Sequence, residues 1–400
     1  MANSLLTIDM ITRKSLEILE NNLVISRNCN RQYDDSFAVQ GAKIGSTLRI
    51  RLPDRALVTD GAALQVQDDN EQYTTLSVAS QKHIGINFTS AELTMQLDDF
   101  AERVLKPRIS QLASSIDADV ATAYKSIYNS VGTPGTTPGT SLVLLQAQQK
   151  LNEFATPMSP RYATVNPAAN AGLVEGMKGL FNPTDTVSRQ FKNGMMGTGV
   201  LGFDEINMSQ SIGMHTTGAW GTTITSTGTL STQGQATLPI SFTGSGKTWK
   251  QGDVFTIAGV YAVNPQTRQS TGSLQQFVVT ADLTASSTGT LSISPAIYTA
   301  DHALATVDSF PQATAVVTML GSASTQYAQN LSYHKDAITL ATADLLLPQG
   351  VDMASRQTHN GISMRIVRQY DINNDRMPCR VDVLYGYAAI RPSMAARIWG

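Results

Sequence analysis

The 400-residue chain is long enough for two or three domains, and 42% of its residues are hydrophobic, enough for a large core. Its 29 basic and 31 acidic residues leave a net charge of −2, which excludes both a protein whose whole surface binds nucleic-acid phosphates and an acidic tail protein. Only 15% of the residues are charged, against roughly 25% in an average soluble domain, so we expect neighbouring molecules to cover much of the exterior.

Residues 1–40 predict an arm rather than the first element of a compact core. Ile8, Ile11, Ile18 and Leu19 fall on one helical stripe, and polar, irregular sequence follows.

Residues 41–87 predict an extended loop. Apolar residues alternate with polar or small ones at 48–52 and again at 84–88, which is the period of a β-strand. An Asp60-Gly61 turn lies between them. We expect the two strands to form a protruding hairpin whose tip, residues 50–80, contributes little to the core.

Residues 97–130 have the strongest helical pattern, with acidic side chains in the first turns, where the helix dipole favours them. Pro107 lies inside the pattern and predicts a kink or break. After a loop rich in glycine, proline and threonine, Ser141 is expected to cap a helix over 142–155. A short strand at 162–165 and a helix after Pro167 follow.

The composition changes between 216 and 330, where only seven charged residues occur. Short alternating runs separated by turn residues predict a small all-β insertion, either a barrel or a sandwich. Beyond it, the sequence predicts a mostly apolar run at 337–347 and a hairpin pairing the Ile362–Ile366 region with the Val381–Tyr385 region.

Three motifs imitate ligand sites. Residues 197–202 match G-x-G-x-x-G, but no strand precedes them and a β-like run follows, which favours a loop between strands. Residues 243–248 imitate a phosphate-binding loop, but Ser241 stands where its first glycine belongs and a strand follows. Residues 371–375 have the spacing of a calcium loop, but Arg376 replaces the glycine of the sharp turn, so a hairpin loop is the better interpretation.

The remaining reactive residue types do not form catalytic or metal-binding patterns. The five histidines are scattered without an H-x-x-x-H pair, and Cys29 and Cys379 exclude a disulfide scaffold. No apolar run approaches the ~20 residues needed to span a bilayer, and the first residues do not resemble a secretory signal. We therefore predict no catalytic, cofactor-binding or metal-binding residues, no cofactor and no membrane partner.

Four segments resemble tailed-bacteriophage major capsid proteins of the podovirus coat type. They are 252–260 (GDVFTIAGV), 331–337 (LSYHKDA), 368–372 (RQYDI) and 380–386 (RVDVLYG), the last followed by a closing Arg391-Pro392. They occur in the same order as in that family, and the resemblance extends over nearly the whole chain.

The resemblance implies an α+β chain with the Hong Kong 97 capsid fold and an all-β insertion domain. It implies five segments: an N-terminal arm (1–40), an extended loop (41–87), a spine helix with the peripheral domain and first part of the axial domain (88–219), an inserted β-barrel (220–330) and return strands that complete the axial and peripheral domains (331–400).

It also implies a structural protein, not an enzyme, that self-assembles as hexamers and pentamers into an icosahedral shell around double-stranded DNA. The expected partners are other copies, a scaffolding protein and a portal, with no specific DNA binding, and the expected place of assembly is the host bacterial cytoplasm. Some capsids of this fold crosslink a loop lysine to a neighbour. Lys43 and Lys82 are available for this, but we expect them to be ordinary solvated lysines.

Two other classes remain open at this point. A β-rich adhesin or phage tail receptor-binding protein would share the middle region rich in threonine, serine and glycine, but would not need the arm or the 97–130 helix. A nucleotide-dependent enzyme would require the glycine loops to bind phosphate.

Overall fold

The computed structural model describes residues 8–31, 46–59, 61, 62, 64, 66, 72–88, 104–176, 197–228, 230–372 and 377–400. Five α-helices lie in these ranges: α1 (Ile8–Asn22), α2 (Ile25–Asn28), α3 (Lys106–Ala121), α4 (Ser141–Glu153) and α5 (Pro167–Gly176). Short 3-10 turns occupy Thr122–Ser126, Lys335–Ala337 and Pro392–Met394.

Strands make up most of the remaining regular structure. The first eleven are β1 (Ser46–Arg51), β2 (Tyr73–Val78), β3 (Ser80–Phe88), β4 (Ser130–Val131), β5 (Arg161–Val165), β6 (Gly197–Val200), β7 (Phe203–Met208), β8 (Met214–Thr216), β9 (Thr222–Ser226), β10 (Gln235–Thr243) and β11 (Lys247–Trp249). The others are β12 (Val254–Val263), β13 (Ser270–Val279), β14 (Leu283–Ala285), β15 (Thr288–Ile297), β16 (Val317–Met319), β17 (Gln326–Ala328), β18 (Asn330–His334), β19 (Ile338–Ala343), β20 (Met353–His359), β21 (Ile362–Arg368), β22 (Met377–Ala389) and β23 (Ala395–Ile398).

The chain divides into two compact units. The first comprises 1–50, 74–121 and 338–388, and the second comprises 51–73, 122–337 and 389–400. Mixed helix and strand content confirms the predicted α+β class.

The first unit is built on the sheet β19-β22-β21-β20, with β3 also paired to β22. Helix α1 packs against β20, β21 and α3. Leu16 and Leu19 of α1 are fully buried, so the described part of the predicted arm forms the helix expected but belongs to the core. Asp117 of α3 accepts hydrogen bonds from the backbone N–H groups of Val24 (2.6 Å) and Ser26 (3.0 Å), which fixes α2 on α3.

The second unit contains the predicted all-β region. Its six-stranded sheet has the order β16-β12-β13-β15-β10-β9, and an isolated bridge between Thr225 and Val316 joins the two edges. The sheet therefore closes on itself, which agrees with a barrel and leaves few edge N–H groups unpaired. Its interior is filled by large side chains, including Trp249 and the stacked rings of Phe255 and Phe277.

A second six-stranded sheet, β4-β23-β18-β5-β7-β6, also belongs to the second unit. The C-terminal strand β23 pairs antiparallel with β18 and parallel with β4, so the end of the chain lies inside this sheet. Helices α4 and α5 contribute Leu144, Leu151 and Leu173 to the apolar core of this sheet.

Two helix predictions can be compared with the structure. Helix α3 begins at Lys106, so Pro107 lies in its first turn, where proline is tolerated, and a π-helical turn at residues 104 and 105 precedes it, which agrees with a break in the regular helix at this point. Residues 89–103 lie outside the described residues. Thr140, not Ser141, holds the N-cap position of α4, and it makes no side-chain cap hydrogen bond.

The predicted hairpin of the extended loop also pairs differently. Strand β1 pairs with β2, not with the run at 84–88, and that run belongs to β3. Strand β3 instead pairs with β22 over nine residues, from Ser80 opposite Tyr385 to Phe88 opposite Met377. The alternation correctly predicted that both runs form strands. It did not predict the partner of β3, because β22, a longer strand, comes from a distant part of the chain.

Candidate assembly surface and its anchors

The segment between β1 and β2 carries the most exposed large apolar side chains among the described residues. Val58 is 92% exposed, Leu64 is 89% exposed and Val66 is 83% exposed. Single exposed apolar residues are ordinary, but three on one short segment make that segment a candidate surface for binding another molecule. We call residues 58–71 the loop tip.

The base of this segment is firmly held. The backbone N–H of Leu52 donates to the carbonyl of Gln72 at 2.8 Å, just beyond the β1-β2 pair. Leu76 and Val78 are fully buried, and Ile50 is nearly so. The predicted dispensable stretch 50–80 therefore includes core residues at both of its ends, whereas the described residues of the loop tip are exposed.

Strand β3 anchors the region to α3 through a charged contact. The Lys82 ammonium lies 2.7 Å from the Asp119 carboxylate and donates to the Ser115 carbonyl at 2.9 Å. Tyr385 also donates a hydrogen bond to Asp119. Lys82 is thus engaged within its own chain, and Lys43 lies outside the described residues.

A buried carboxylate fixes β22 to its neighbours. The Asp382 side chain is fully buried and lies 2.7 Å from the guanidinium groups of Arg365 and Arg380. Gln81 of β3 donates to it at 3.2 Å. Burial acts to raise the pKa of Asp382, but the hydrogen bonds from the two arginines and Gln81 outweigh it and hold that pKa below its ordinary value.

A buried arginine fixes the C-terminal strand of the second unit. Arg397 is 1% exposed, and its guanidinium donates to the carbonyls of Ile127 (2.9 Å) and Gly252 (2.7 Å). It also lies 5.2 Å from the centre of the Tyr124 ring. Burial lowers the pKa of Arg397 to about 9, so the group stays charged at neutral pH. The sequence signal for this site is one charge in the otherwise apolar strand β23.

A second buried polar group stands beside this arginine. His215 Nε2 lies 2.9 Å from the Asp253 carboxylate, and its Nδ1 lies 3.2 Å from the Tyr124 hydroxyl. Asp253 also accepts from the backbone N–H groups of Gly218 (3.1 Å) and Lys250 (2.8 Å). The Asp253 carboxylate therefore has hydrogen-bond partners on several sides. Its role is structural, because it fixes the position of the first residue of β12.

The glycine motifs are turns between strands. Gly197–Val200 form β6, and Gly202 lies in the turn that leads directly into β7, so no helix follows the G-x-G-x-x-G match. The phosphate-loop imitation is the β10-β11 turn, where Gly244 and Gly246 adopt positive φ values of 124° and 62°. Neither turn opens a helix whose N-terminus would bind a phosphate.

The remaining candidate residues form no chemical site within the described ranges. No group of three or more histidine, cysteine, aspartate or glutamate side chains there is arranged to hold a metal ion. Cys29 and Cys379 are buried free thiols, and burial raises the pKa of both, to about 12 for Cys379. Residues 373–376 of the calcium-like loop are outside the description. None of the described helices is both long and apolar enough to cross a membrane.

Comparison with known proteins gives a match along the whole chain. A family model described as "P22 coat protein - gene protein 5" matches residues 1–400. A curated "Major capsid protein" of Acyrthosiphon pisum secondary endosymbiont phage 1 is 22% identical over 338 residues, covering 79% of each chain.

Solved phage structures are also similar. A chain of Mycobacterium phage Che8 aligns with a TM-score of 0.47 and 11% identity, covering 94% of this chain and 90% of that chain. The mature capsid of bacteriophage PhiM1 aligns with a TM-score of 0.41 and 12% identity, covering 91% and 83%. The CUS-3 coat protein I-domain is 30% identical with a TM-score of 0.20, covering 25% of this chain and 96% of that chain.

Proposed function

Because this chain belongs to the P22 coat protein family, it is a major capsid protein of a tailed phage, and we propose how it builds the shell. Copies of the chain assemble as hexamers and pentamers into an icosahedral shell that encloses double-stranded DNA. The loop tip of each subunit lies against a neighbouring subunit.

The exposed apolar side chains of the loop tip are the observation that carries this proposal. Fully burying a valine or leucine side chain stabilises an interface by about 1.5–3 kcal/mol before the cost of association is subtracted. Val58, Leu64 and Val66 are all more than 80% exposed in the single chain, so a neighbour has three such side chains to bury. Because the same contact is repeated between all neighbouring subunits of a closed ring, its stabilisation is multiplied over the shell.

The Hong Kong 97 layout and the five segments are part of the proposal. The ribbon of β1 and β2 supports an extended loop at 41–87, and α3 supports a spine helix within 88–219. The closed sheet over 222–319 supports an inserted barrel at 220–330. The strands after 330 return to both units, as completion of the axial and peripheral domains at 331–400 requires. Residues 1–40 are proposed as the N-terminal segment, whose described helix α1 packs into the core of the first unit.

The further partners are also proposed. A scaffolding protein and a portal join the subunits during assembly in the host bacterial cytoplasm. DNA is enclosed without specific binding, because the net charge of −2 gives each subunit little attraction for phosphates. We propose no catalytic role, cofactor or metal.

Both other classes are less favoured. A tail or receptor-binding protein has no need of α3 or of an N-terminal segment whose helix packs on it. A nucleotide-dependent enzyme would need its glycine loops to open helices, and both described loops lead into strands.

Electron microscopy of the expressed chain, alone and with its phage's scaffolding protein, tests the proposal. We expect closed shells from the wild-type chain and folded but unassembled subunits from a variant in which a short Gly-Ser linker replaces residues 58–69. A second variant keeps the length of the loop and changes only Val58, Leu64 and Val66 to serine. It should also reduce shell yield, which would assign the effect to the apolar side chains rather than to the shortened loop. Isolated fibres or trimers from the wild type would support a tail protein, and normal shells from both variants would refute the role of the loop tip.

A further inference from the structure

A cavity of about 510 Å³ lies in the second unit, at the base of the extended loop. Its size is within the roughly 300–1,000 Å³ of known ligand pockets. Aromatic and proline side chains make up much of its wall, among them Tyr128, Phe154, Pro265, Pro295 and Tyr298. Tyr128 and Phe154 also pack against buried residues of the closed sheet, so this wall is rigid.

Two arginines add positive charge to the mostly apolar lining of the cavity. Arg55 and Arg391 both line it, together with one carboxylate, Asp54. In the described part of the chain, neither arginine has an ion-pair partner within 4 Å. The burial that raises the pKa of Tyr128 is partly opposed by the positive charge of Arg55, which places that charge close to the aromatic wall. The cavity thus suits an apolar group followed by carboxylates.

The loop tip has that chemistry. Leu64 and Val66 are two residues apart and both exposed, and in an extended chain such residues project to the same side. Asp68, Asp69 and Glu71 follow them in the sequence. An extended chain advances roughly 3.3–3.6 Å per residue, so the first carboxylates of this run lie within reach of the same partner that receives Val66 if the segment binds in an extended form.

The contact is between subunits. Leu52 and Gln72, at the base of the loop, line the cavity themselves, and the tip side chains are uncovered in the single chain. The proposed shell brings many copies together, and a tip-to-cavity contact is heterologous, which is the kind that closes rings.

We propose that Leu64 and Val66 of one subunit insert into this cavity on a neighbouring subunit, an inference that rests on the proposed function. Asp68 and Asp69 of the inserted tip then pair with Arg55 and Arg391 of the neighbour. The cavity is thus the receiving half of a subunit contact whose other half is the loop tip of the same sequence.

Disulfide crosslinking in assembled shells tests the contact. Val66→Cys is combined with Gln266→Cys, an exposed position on the cavity wall, and oxidised shells are analysed on non-reducing denaturing gels. The native Cys29 and Cys379 give little background because both are buried. The control combines Val66→Cys with Ser245→Cys, an exposed turn position outside the cavity lining.

We expect a ladder of covalent multimers from the cavity pair and only monomers from the control pair. Normal shells without multimers would overturn the proposal and leave the proposed function standing. A monomer crosslinked within itself would identify the chain's own tip as the occupant, and equal ladders from both pairs would show nonspecific proximity. Each of these results also contradicts the proposal.

Charge reversal gives a second, independent test that does not depend on cysteine. Asp68→Arg with Asp69→Arg, and Arg55→Glu with Arg391→Glu, should each lower shell yield at least tenfold while the thermal unfolding of subunits stays unchanged. Combining all four changes should restore most of the yield. A combination no better than either half would overturn the pairing, whereas shell formation by the wild type in the same assay tests the proposed function separately.

Discussion

Asp382 shows how single charged residues hold the first unit together. Its carboxylate is fully buried and receives hydrogen bonds from Arg365 and Arg380, each at 2.7 Å. Removing one partner of a buried ion pair leaves the others uncompensated, which costs far more than losing an exposed pair. The residue joins three adjacent strands, since Gln81 lies on β3, Arg365 on β21 and Asp382 on β22.

We predict that Asp382→Asn lowers the free energy of unfolding of the subunit by about 3 kcal/mol at neutral pH, because two arginines lose their anion. The matched control is Asp352→Asn, whose carboxylate is 42% exposed and pairs with Arg368 at 2.9 Å, and it should cost no more than about 1 kcal/mol. Urea unfolding of unassembled subunits measures both. Equal losses in the two variants would contradict the role of Asp382.

The pH dependence follows from the lowered pKa of Asp382. Its folded-state pKa is below the ordinary 3.8, so the ionised carboxylate stabilises the fold at all pH values above 3.8. That stabilisation is lost as the pH falls below 3.8 through the folded-state pKa. The wild type should therefore lose its advantage over Asp382→Asn only in strong acid, and a gap that closes near pH 6 would contradict this.

The closed sheet has an apolar core of its own. Its interior side chains pack on one another around Phe255 and Phe277. Strand β17 is not part of the closed sheet, because it pairs with β8, with Gln326 opposite Thr216. Part of its outer surface, including Val254 and Val278, packs on Tyr128 elsewhere in the second unit.

We predict that residues 220–322 fold when expressed alone, with a dispersed amide NMR spectrum of mostly β shifts. Val254 and Val278 lose their contact with Tyr128 when the segment is isolated, so the isolated domain should bind an apolar dye more than the intact subunit does. Phe255→Ala should destabilise the domain by about 4 kcal/mol, whereas Tyr261→Ala, at a side chain 39% exposed, should change it little. A random-coil spectrum from the unsubstituted segment would mean that it depends on the rest of the chain.

The sequence allowed the longer helices and several strands to be predicted, because periodicity is a local property. Alternation located β1, β3, β12 and β21, and the turn residues located the β10-β11 turn. The partner of β3 could not be predicted, because β22 lies about 300 residues away and local sequence does not encode that pairing.

The candidate sites were predicted less completely. The extended loop could be located, but the cavity draws its wall from residues as distant as Leu52, Tyr128, Pro265 and Pro392, so no local motif describes it. Arg397 and Asp382 are ordinary charged residues in the sequence, and only their burial shows what they do.

For the whole molecule, the low net charge limits the interaction of a subunit with DNA. A net charge of −2 per subunit cannot neutralise packaged DNA, and no run of lysine and arginine forms a phosphate track. The shell is therefore expected to contain DNA by its geometry and mechanical strength.

We predict at most weak, non-specific binding of unassembled subunits to duplex DNA near 0.15 M salt, the physiological ionic strength. Gel-shift titration at several salt concentrations measures this. Tight binding that weakens steeply with salt would indicate many phosphate contacts and would assign the chain to the nucleic-acid-binding class.

A cryo-electron microscopy reconstruction of assembled particles tests the central claim most directly, namely that each subunit is completed by its neighbours in a shell. We predict a closed icosahedral shell in which density for Leu64 and Val66 of one subunit crosses to a second subunit and is buried there. A particle in which this segment stays exposed or folds onto its own subunit, or a preparation containing only fibres or small oligomers, would contradict the account.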